Sequence, residues 1–358
     1  MKNALVTVSQ PADLAIISDL MKQAGRAANQ AAAAGTFADH TARKADNTIR
    51  RKAADLALFA GFLRTAGIPA QAADLMNNPQ AWQGVTWGLV KAFAVWMIGE
   101  GYALPSVNGR LSTVRTYAKL AAQAGAISAE ESILIASVKG YGKKEQRHVD
   151  DQRKAEGLPT RKGAKKAEPV TIPADLAEAM KAQPNTPKGR RDALLMCLLL
   201  DHGLRIGEIA ILTRKAFDLK AGTMTFYRPK VSKTQTHELT PATRAAAAAY
   251  LKHDAPADGV LWRKASKGTD RLGGPLSSIS AERALTKRVE LLGRRAGLEG
   301  LSAHDGRHFW ATFEARNNTA VDRLMDAGGW NSPAMPLRYI ESAHIANQGT
   351  ARVKTKQA

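Results

Sequence analysis

The chain has 358 residues and carries 52 lysines and arginines against 32 aspartates and glutamates, a formal net charge of +20. That length predicts about two domains with their own cores, and that charge selects a polyanionic partner, nucleic acid or an anionic membrane surface. A membrane role is disfavoured, because Met1 to Leu20 has no charged-then-apolar signal pattern and the longest apolar run, Ala193 to Leu200, is far too short to span.

Residues 1–40 form a poorly specified segment with an alanine tract, Ala31 to Ala34, and no sign of an additional folded module. Residues 41–138 read as a helical domain. Asp46 or Asn47 caps a helix whose apolar residues Ile49, Ala53, Leu56, Ala60 and Leu63 recur at helical spacing, while Arg43, Lys44, Arg50, Arg51 and Lys52 line its other face. A second helix fits Gly84 to Ile98 with Val85, Leu89, Phe93 and Trp96 inward. Gly99 to Pro105 breaks the chain, Ser112 to Gly125 forms a third helix, and Ala129 to Val138 completes a small bundle. Trp82, Trp87 and Trp96 read as core in that helical setting.

Residues 139–169 are charged, glycine-bearing and short of apolar side chains, which predicts a basic linker between domains. The second domain spans 170–358. It opens with an amphipathic helix, Pro173 to Gln183, and a buried one, Lys188 to Leu200, stopped by Gly203. The single cysteine, Cys197, lies in that buried run, which rules out an internal disulfide and marks it as core. A further helix begins at about Arg205. Phe217 to Leu219, Thr223 to Arg228 and His237 to Leu239 read as short strands, and Ala242 to Leu251 and Ser280 to Ala296 as helices. The expected fold is mainly α with a small antiparallel β-sheet.

The stretch from Ser302 to Glu341 carries the chemistry. His304 and Arg307 stand three apart behind a cap candidate, Ser302, so both leave one helix face. A Gly-Gly-Trp turn follows, and Tyr339 lies in a short helix announced by Ser332 and Pro333. Phosphoryl transfer needs a nucleophile, charge to stabilise the transition state, an acid for the leaving oxygen and alignment. Tyr339 offers the nucleophile, and its free pKa of about 10 calls for a base, which His304 supplies. Arg205 and Arg307 grip phosphate oxygens bidentately, Lys233 reaches the leaving oxygen from a strand turn, and Trp330 donates an indole N–H. Taken singly, each has a plainer reading: Arg205 paired with Glu208 one turn on, Lys233 solvated, His304 and Tyr339 packed. Their joint occurrence in one domain outweighs those readings.

The ordered motifs GLRIGEI (203–209), SKT (232–234), HDGRH (304–308), AGGW (327–330) and SPAMPLRYIE (332–341) resemble the tyrosine recombinase, phage-integrase-like family, in its simple two-domain form. The resemblance implies an N-terminal helical core-binding domain and a C-terminal α+β catalytic domain that clamp DNA. It implies cleavage through a 3′-phosphotyrosine with a free 5′-hydroxyl, with no cofactor, neither ATP nor metal. Arg205 and Arg307 become the phosphate clamp, Lys233 the acid, His304 the base, Trp330 an added donor, Tyr339 the nucleophile and Glu208 the support of the first arginine. Histidine is commoner than Trp330 at its position in the family, Gly306 stands where leucine is usual, and Pro336 falls near the start of the tyrosine helix. His308 belongs to the motif as a structural residue. The expected partner is double-stranded DNA, held by a homotetramer on two sites in a bacterial or phage-encoded, cytoplasmic setting. Arg43, Lys44, Arg50, Arg51, Lys143 and Lys144 are the candidates for backbone contacts. The tail with Arg352, Lys354 and Lys356 either docks on a neighbouring protomer or is a disordered basic tail. The competing classes are a sequence-specific DNA-binding protein without catalysis, a type IB topoisomerase that relaxes supercoils as a monomer, and a basic RNA binder.

Overall fold

The computed structural model describes residues 11–163, 168–266 and 268–343, so the basic tail with Arg352, Lys354 and Lys356 lies outside the described residues. The chain divides into two compact units, Met1–Lys165 and Lys166–Ala358. No helix among the described residues is long and apolar enough to cross a membrane.

The first unit is all helical: α1 (Pro11–Ala42), α2 (Asp46–Thr65), α3 (Ala72–Asn77), α4 (Trp87–Gly99), α5 (Leu104–Gln123), α6 (Ala129–Ser137) and α7 (Lys143–Ala155). Its core gathers Leu56, Phe59 and Leu63 from α2, Phe93 and Met97 from α4, and Leu111, Val114 and Tyr117 from α5. Trp82 is fully buried, stacked between Phe59 and Tyr117, and its indole N–H donates to the Leu75 carbonyl at 2.8 Å.

Five features depart from the sequence reading, the first being that α2 starts behind Ala45 with no side-chain cap rather than at a cap formed by Asp46 or Asn47. The segment expected to be poorly specified is one 32-residue helix, α1. Alanine is the strongest helix former, and Phe37 anchors that helix by packing edge-on against Tyr117 at 5.5 Å. The stretch expected as a linker contains α7, whose start is fixed by the Gly142 N–H donating to Glu145 Oε2 at 2.6 Å. Buried Arg153 anchors its other end, donating to the Tyr102 carbonyl at 3.2 Å and the Pro159 carbonyl at 2.5 Å. Pro105, expected in a break, sits in the first turn of α5, where its missing N–H costs nothing. Trp87 is 42% exposed at the start of α4 rather than core, with the Lys91 ammonium 5.7 Å from its ring centre.

The second unit contains α8 (Ala174–Lys181), α9 (Pro187–Leu200), α10 (Ile206–Ala210), β1 (Phe217–Asp218), β2 (Thr223–Arg228), β3 (Lys233–Glu238), α11 (Pro241–His253), β4 (Arg263–Ala265), β5 (Leu272–Pro275), α12 (Ser278–Arg295), α13 (Ala303–Arg316), α14 (Val321–Gly328) and α15 (Ala334–Ala343). The run from Leu194 to Leu200 is buried on every side of α9, which makes that helix the axis of the core. Met224, Phe226, Tyr250, Trp262, Leu285 and Val289 pack into the same cluster.

β1, β2 and β3 form an antiparallel sheet in that order. β3 begins at Lys233 rather than His237, so Lys233 is a strand residue paired in register with Arg228. A second hairpin, β4–β5, went unforeseen because its residues, Arg-Lys-Ala and Leu-Gly-Gly-Pro, carry no apolar alternation.

Two glycines bring α13 close to the core. Gly306 allows close approach to α9, since a β-carbon there would lie 3.2 Å from Leu199 Cβ. Gly203 has φ +58, and a β-carbon on it would collide with the Trp310 ring. Gly203→Ala therefore combines a left-handed backbone penalty with overpacking and should destabilise the second unit by roughly 2–4 kcal/mol. Urea denaturation followed by far-UV circular dichroism checks this, and an unchanged midpoint would contradict it.

Candidate functional site

Four pieces of the second unit meet here: the start of α10, the β2–β3 hairpin, the first turns of α13, and the α14–α15 turn. Arg205 is the residue before α10, and its backbone N–H and Nη1 both donate to Glu208, at 2.9 and 2.8 Å. Glu208 is 2% exposed and also accepts from Arg228 Nη1 at 2.8 Å. The expected pairing of Arg205 with Glu208 is present, and a second guanidinium shares it.

Arg307 is 2% exposed. Nη1 donates to the Gly203 carbonyl at 2.6 Å, Nη2 donates to the Gly328 carbonyl, and the guanidinium lies 4.5 Å from the Trp330 ring centre. Burial, then the neighbouring charges of Arg205 and Arg228, pulls its pKa down to about 9, so it stays protonated at neutral pH. Arg205, Arg228 and Arg307 thus crowd together with one directly bonded carboxylate, Glu208. Such an excess of partly desolvated positive charge suits an anion.

Ser302 occupies the expected N-cap position of α13, though its backbone N–H and hydroxyl both donate to Asp305 Oδ2, at 2.7 and 2.8 Å. That box starts the helix on which Arg307 is buried and His304 exposed. Burial, followed by His308 and Arg307, lowers the His304 pKa, which favours the neutral imidazole. His308 lies edge-on to both neighbours, 4.6 Å from the His304 ring centre and 5.4 Å from that of Tyr339.

Gly329 ends α14 in the left-handed conformation, φ 60°. The chain then delivers Trp330, whose ring packs on Trp310 at 6.1 Å and Tyr339 at 5.6 Å. α15 begins at Ala334, with Pro333 offering its carbonyl to the Leu337 N–H at 2.9 Å, so Pro336 falls in the first turn and disturbs no helical bond. Tyr339 is 4% exposed. Burial raises its pKa, opposed by the charges of Arg307, Arg338 and Arg205.

Lys233 is 53% exposed, and its ammonium donates to Asp326 Oδ1 at 2.5 Å. That hydrogen bond is the main cause of the lowered Asp326 pKa. Gln235 donates to the Asp326 carbonyl at 2.7 Å and accepts from Arg228 Nε. The sequence reading missed Arg228, Gln235 and Asp326. Arg228 had a signal: in the alternation of β2 it falls in phase with buried Met224 and Phe226. Among the described residues, no group of three or more His, Cys, Asp or Glu is arranged to hold a metal ion.

The six candidates for backbone contacts lie in the first unit, apart from these residues in sequence. Arg43 and Lys44 follow α1, Arg50 and Arg51 lie on α2, and Lys143 and Lys144 open α7, all exposed.

Residues 171–344 match the model of the phage integrase family. The match falls within the second unit and identifies that unit as a domain of the family. Solved structures share the fold at low identity. A lambda integrase dimer bound to a COC′ core site is 15% identical, covers 90% of this chain and 96% of its own, and gives a TM-score of 0.55. The Tn1549 transposon integrase in complex with transposon right end DNA is 16% identical, covers 89% and 96%, and gives 0.55. The same integrase with a circular intermediate DNA is 15% identical, covers 83% and 97%, and gives 0.52. Comparison with curated protein sequences returns no match.

Below the hairpin, a cavity of about 420 Å³ is lined by His202, His237, Asp201 and Glu314, among others. Burial holds the pKa of His202 down to about 4 and that of His237 to about 3, from an ordinary 6.5. Well above pH 6.5 both are neutral in folded and unfolded chains and contribute no pH dependence. Below it the unfolded chain takes up protons that the folded chain refuses. Stability should therefore fall by about 3–4 kcal/mol from pH 7 to pH 5, at up to 1.4 kcal/mol per pH unit for each histidine. Equal urea midpoints at the two pH values would contradict this.

Proposed function

We propose that this chain is a site-specific DNA recombinase that cuts and rejoins duplex DNA through a 3′-phosphotyrosine intermediate. The observation that carries the reading is the gathering of three guanidiniums near the Tyr339 phenol, Arg205 and Arg228 sharing the Glu208 carboxylate and Arg307 held by carbonyl oxygens. Such a cluster lacks negative charge, and a scissile phosphate supplies it.

In this reading Arg205 and Arg307 hold the non-bridging oxygens and stabilise the charge of the pentacoordinate transition state. The Tyr339 oxygen attacks phosphorus as its proton passes toward His304, whose lowered pKa keeps an imidazole nitrogen free to accept it. The bond from phosphorus to the 5′ oxygen breaks, and Lys233 gives that oxygen a proton. The reverse sequence, with a 5′-hydroxyl from another strand, rejoins the DNA, so the bond energy is conserved. Trp330 packs on Arg307 and Tyr339 and holds clamp and nucleophile in register.

The related structures named above hold DNA, and the lambda integrase is a dimer on its core site. By extension, the helical unit grips the duplex through exposed Arg43, Lys44, Arg50, Arg51, Lys143 and Lys144. Four protomers act on two sites in a bacterial or phage-infected cell.

Two experiments test the chemistry. Tyr339→Phe should abolish covalent protein–DNA adducts in cells expressing the protein, where sequencing the adducts of the unaltered chain also reports the target site. Adducts persisting in that variant would remove Tyr339 as nucleophile. Lys233→Ala should slow cleavage by about 10²–10⁴-fold, the usual range for a general acid. A 5′-bridging phosphorothiolate, whose sulfur leaves without a proton, should restore the rate, and no restoration in a folded variant would assign the acid elsewhere.

A further inference from the structure

We propose that Arg228 is a positioning residue for this reaction, fixing Arg205 through Glu208 and fixing the end of α14 that delivers Trp330. Arg228 is fully buried at the end of β2. Its three nitrogens are all engaged: Nη1 donates to Glu208 Oε2 at 2.8 Å, Nη2 to the Ala327 carbonyl at 2.6 Å, and Nε to Gln235 Oε1. Its guanidinium also lies 4.8 Å from the Phe226 ring centre.

Resting on the recombinase reading above, the role is one of geometry. Glu208 Oε1 holds the Arg205 guanidinium while Oε2 is shared by the Arg205 backbone and Arg228, so Arg228 stops the carboxylate from turning. At the far end, the carbonyls of Ala327 and Gly328 close α14 on two guanidiniums, Arg228 and Arg307. Gly329 has to be glycine beside them: its φ is +60, and a β-carbon would lie 2.6 Å from the Arg228 side chain. Gln235 extends the chain of bonds to Asp326 and so to Lys233. A residue with no access to DNA thus joins the start of α10, which carries Arg205, the strand that begins at Lys233, and the end of α14, on which Arg307 also rests. Lysine cannot replace it, because one ammonium does not reach three acceptors arranged in a plane.

The test uses the full chain and, as probe, the duplex recovered from the covalent adducts, nicked so that the cleaved fragment diffuses away. Arg228→Lys should bind that duplex within about threefold of the unaltered chain yet cleave it roughly 10- to 100-fold more slowly in a single turnover. Arg228→Lys combined with Arg205→Ala should slow cleavage by less than the product of the two single effects, since Arg228 acts in part through Arg205. Cleavage within twofold of the unaltered chain, or slowing that multiplies in the double variant, would overturn the role. Should Arg228→Lys fail to fold by circular dichroism, Gln235→Met decides the question; it removes one acceptor of Arg228 together with the bonds to Asp326, so its cleavage is read on the 5′-bridging phosphorothiolate duplex, which needs no proton from Lys233. Slower cleavage at unchanged affinity supports the proposal, and an unchanged rate overturns it. Failure of the recombinase reading is separately visible, as adducts that survive Tyr339→Phe, and overturns both.

Discussion

A buried guanidinium held by carbonyl oxygens is the constraint on which the second unit depends. Arg307 reaches back to Gly203 and forward to Gly328, tying the end of α9, the start of α13 and the end of α14 at one point. A charge removed from water is tolerated only when its donors are met, so these bonds leave little freedom in how the three segments approach. The glycines follow from the same demand. Gly203 turns left-handed to present its carbonyl and leaves room for Trp310, while Gly329 turns left-handed after the second acceptor and leaves room for Arg228. Trp310 and Trp330 wall the cation with ring faces at 5.9 and 4.5 Å, where the aromatic quadrupole favours positive charge.

The same cations act on Tyr339. Burial opposes ionisation of the phenol, and the charges of Arg307, Arg338 and Arg205 favour it. In the recombinase reading, the groups that bind phosphate also reduce the cost of making the phenolate. In the same reading, His304, whose pKa burial lowers, is the group that takes the phenol proton. His308 packs edge-on between the His304 and Tyr339 rings, as a structural member of the motif would.

Much of this was visible in the residues. The all-apolar run of α9 and the alternation of β2 located two elements to within a residue, because burial on all sides and burial on one side leave different periods. The motif residues announced the site. Helices whose stability comes from elsewhere were harder to see: the large apolar residues Leu14, Ile16, Ile17, Leu20 and Met21 of α1 are exposed and mark no buried face, and α7 carries charged pairs and one buried arginine. Arg228 hid for a different reason. A strand-end arginine beside a turn reads as solvated, and only the fold of α10 and α14 around it shows that its three nitrogens have fixed partners. Its phase in β2 was the available sign.

The charged contacts of the site differ in how readily they can be exchanged. Arg228 and Glu208 are 0% and 2% exposed in their side chains, and breaking such a pair strands a charge in a poorly solvated interior. Lys233 and Asp326 are 53% and 67% exposed, and pairs of that kind contribute only about 0–1 kcal/mol. Solvent or a phosphate can take the place of Asp326 at little cost, whereas nothing takes the place of Glu208. The guanidiniums around Glu208 are therefore built into the fold, while the lysine at the start of β3 rests on a carboxylate it can leave. For chemistry that needs a fixed anion site and an acid delivered at the moment of bond breaking, that division of rigidity is the useful one.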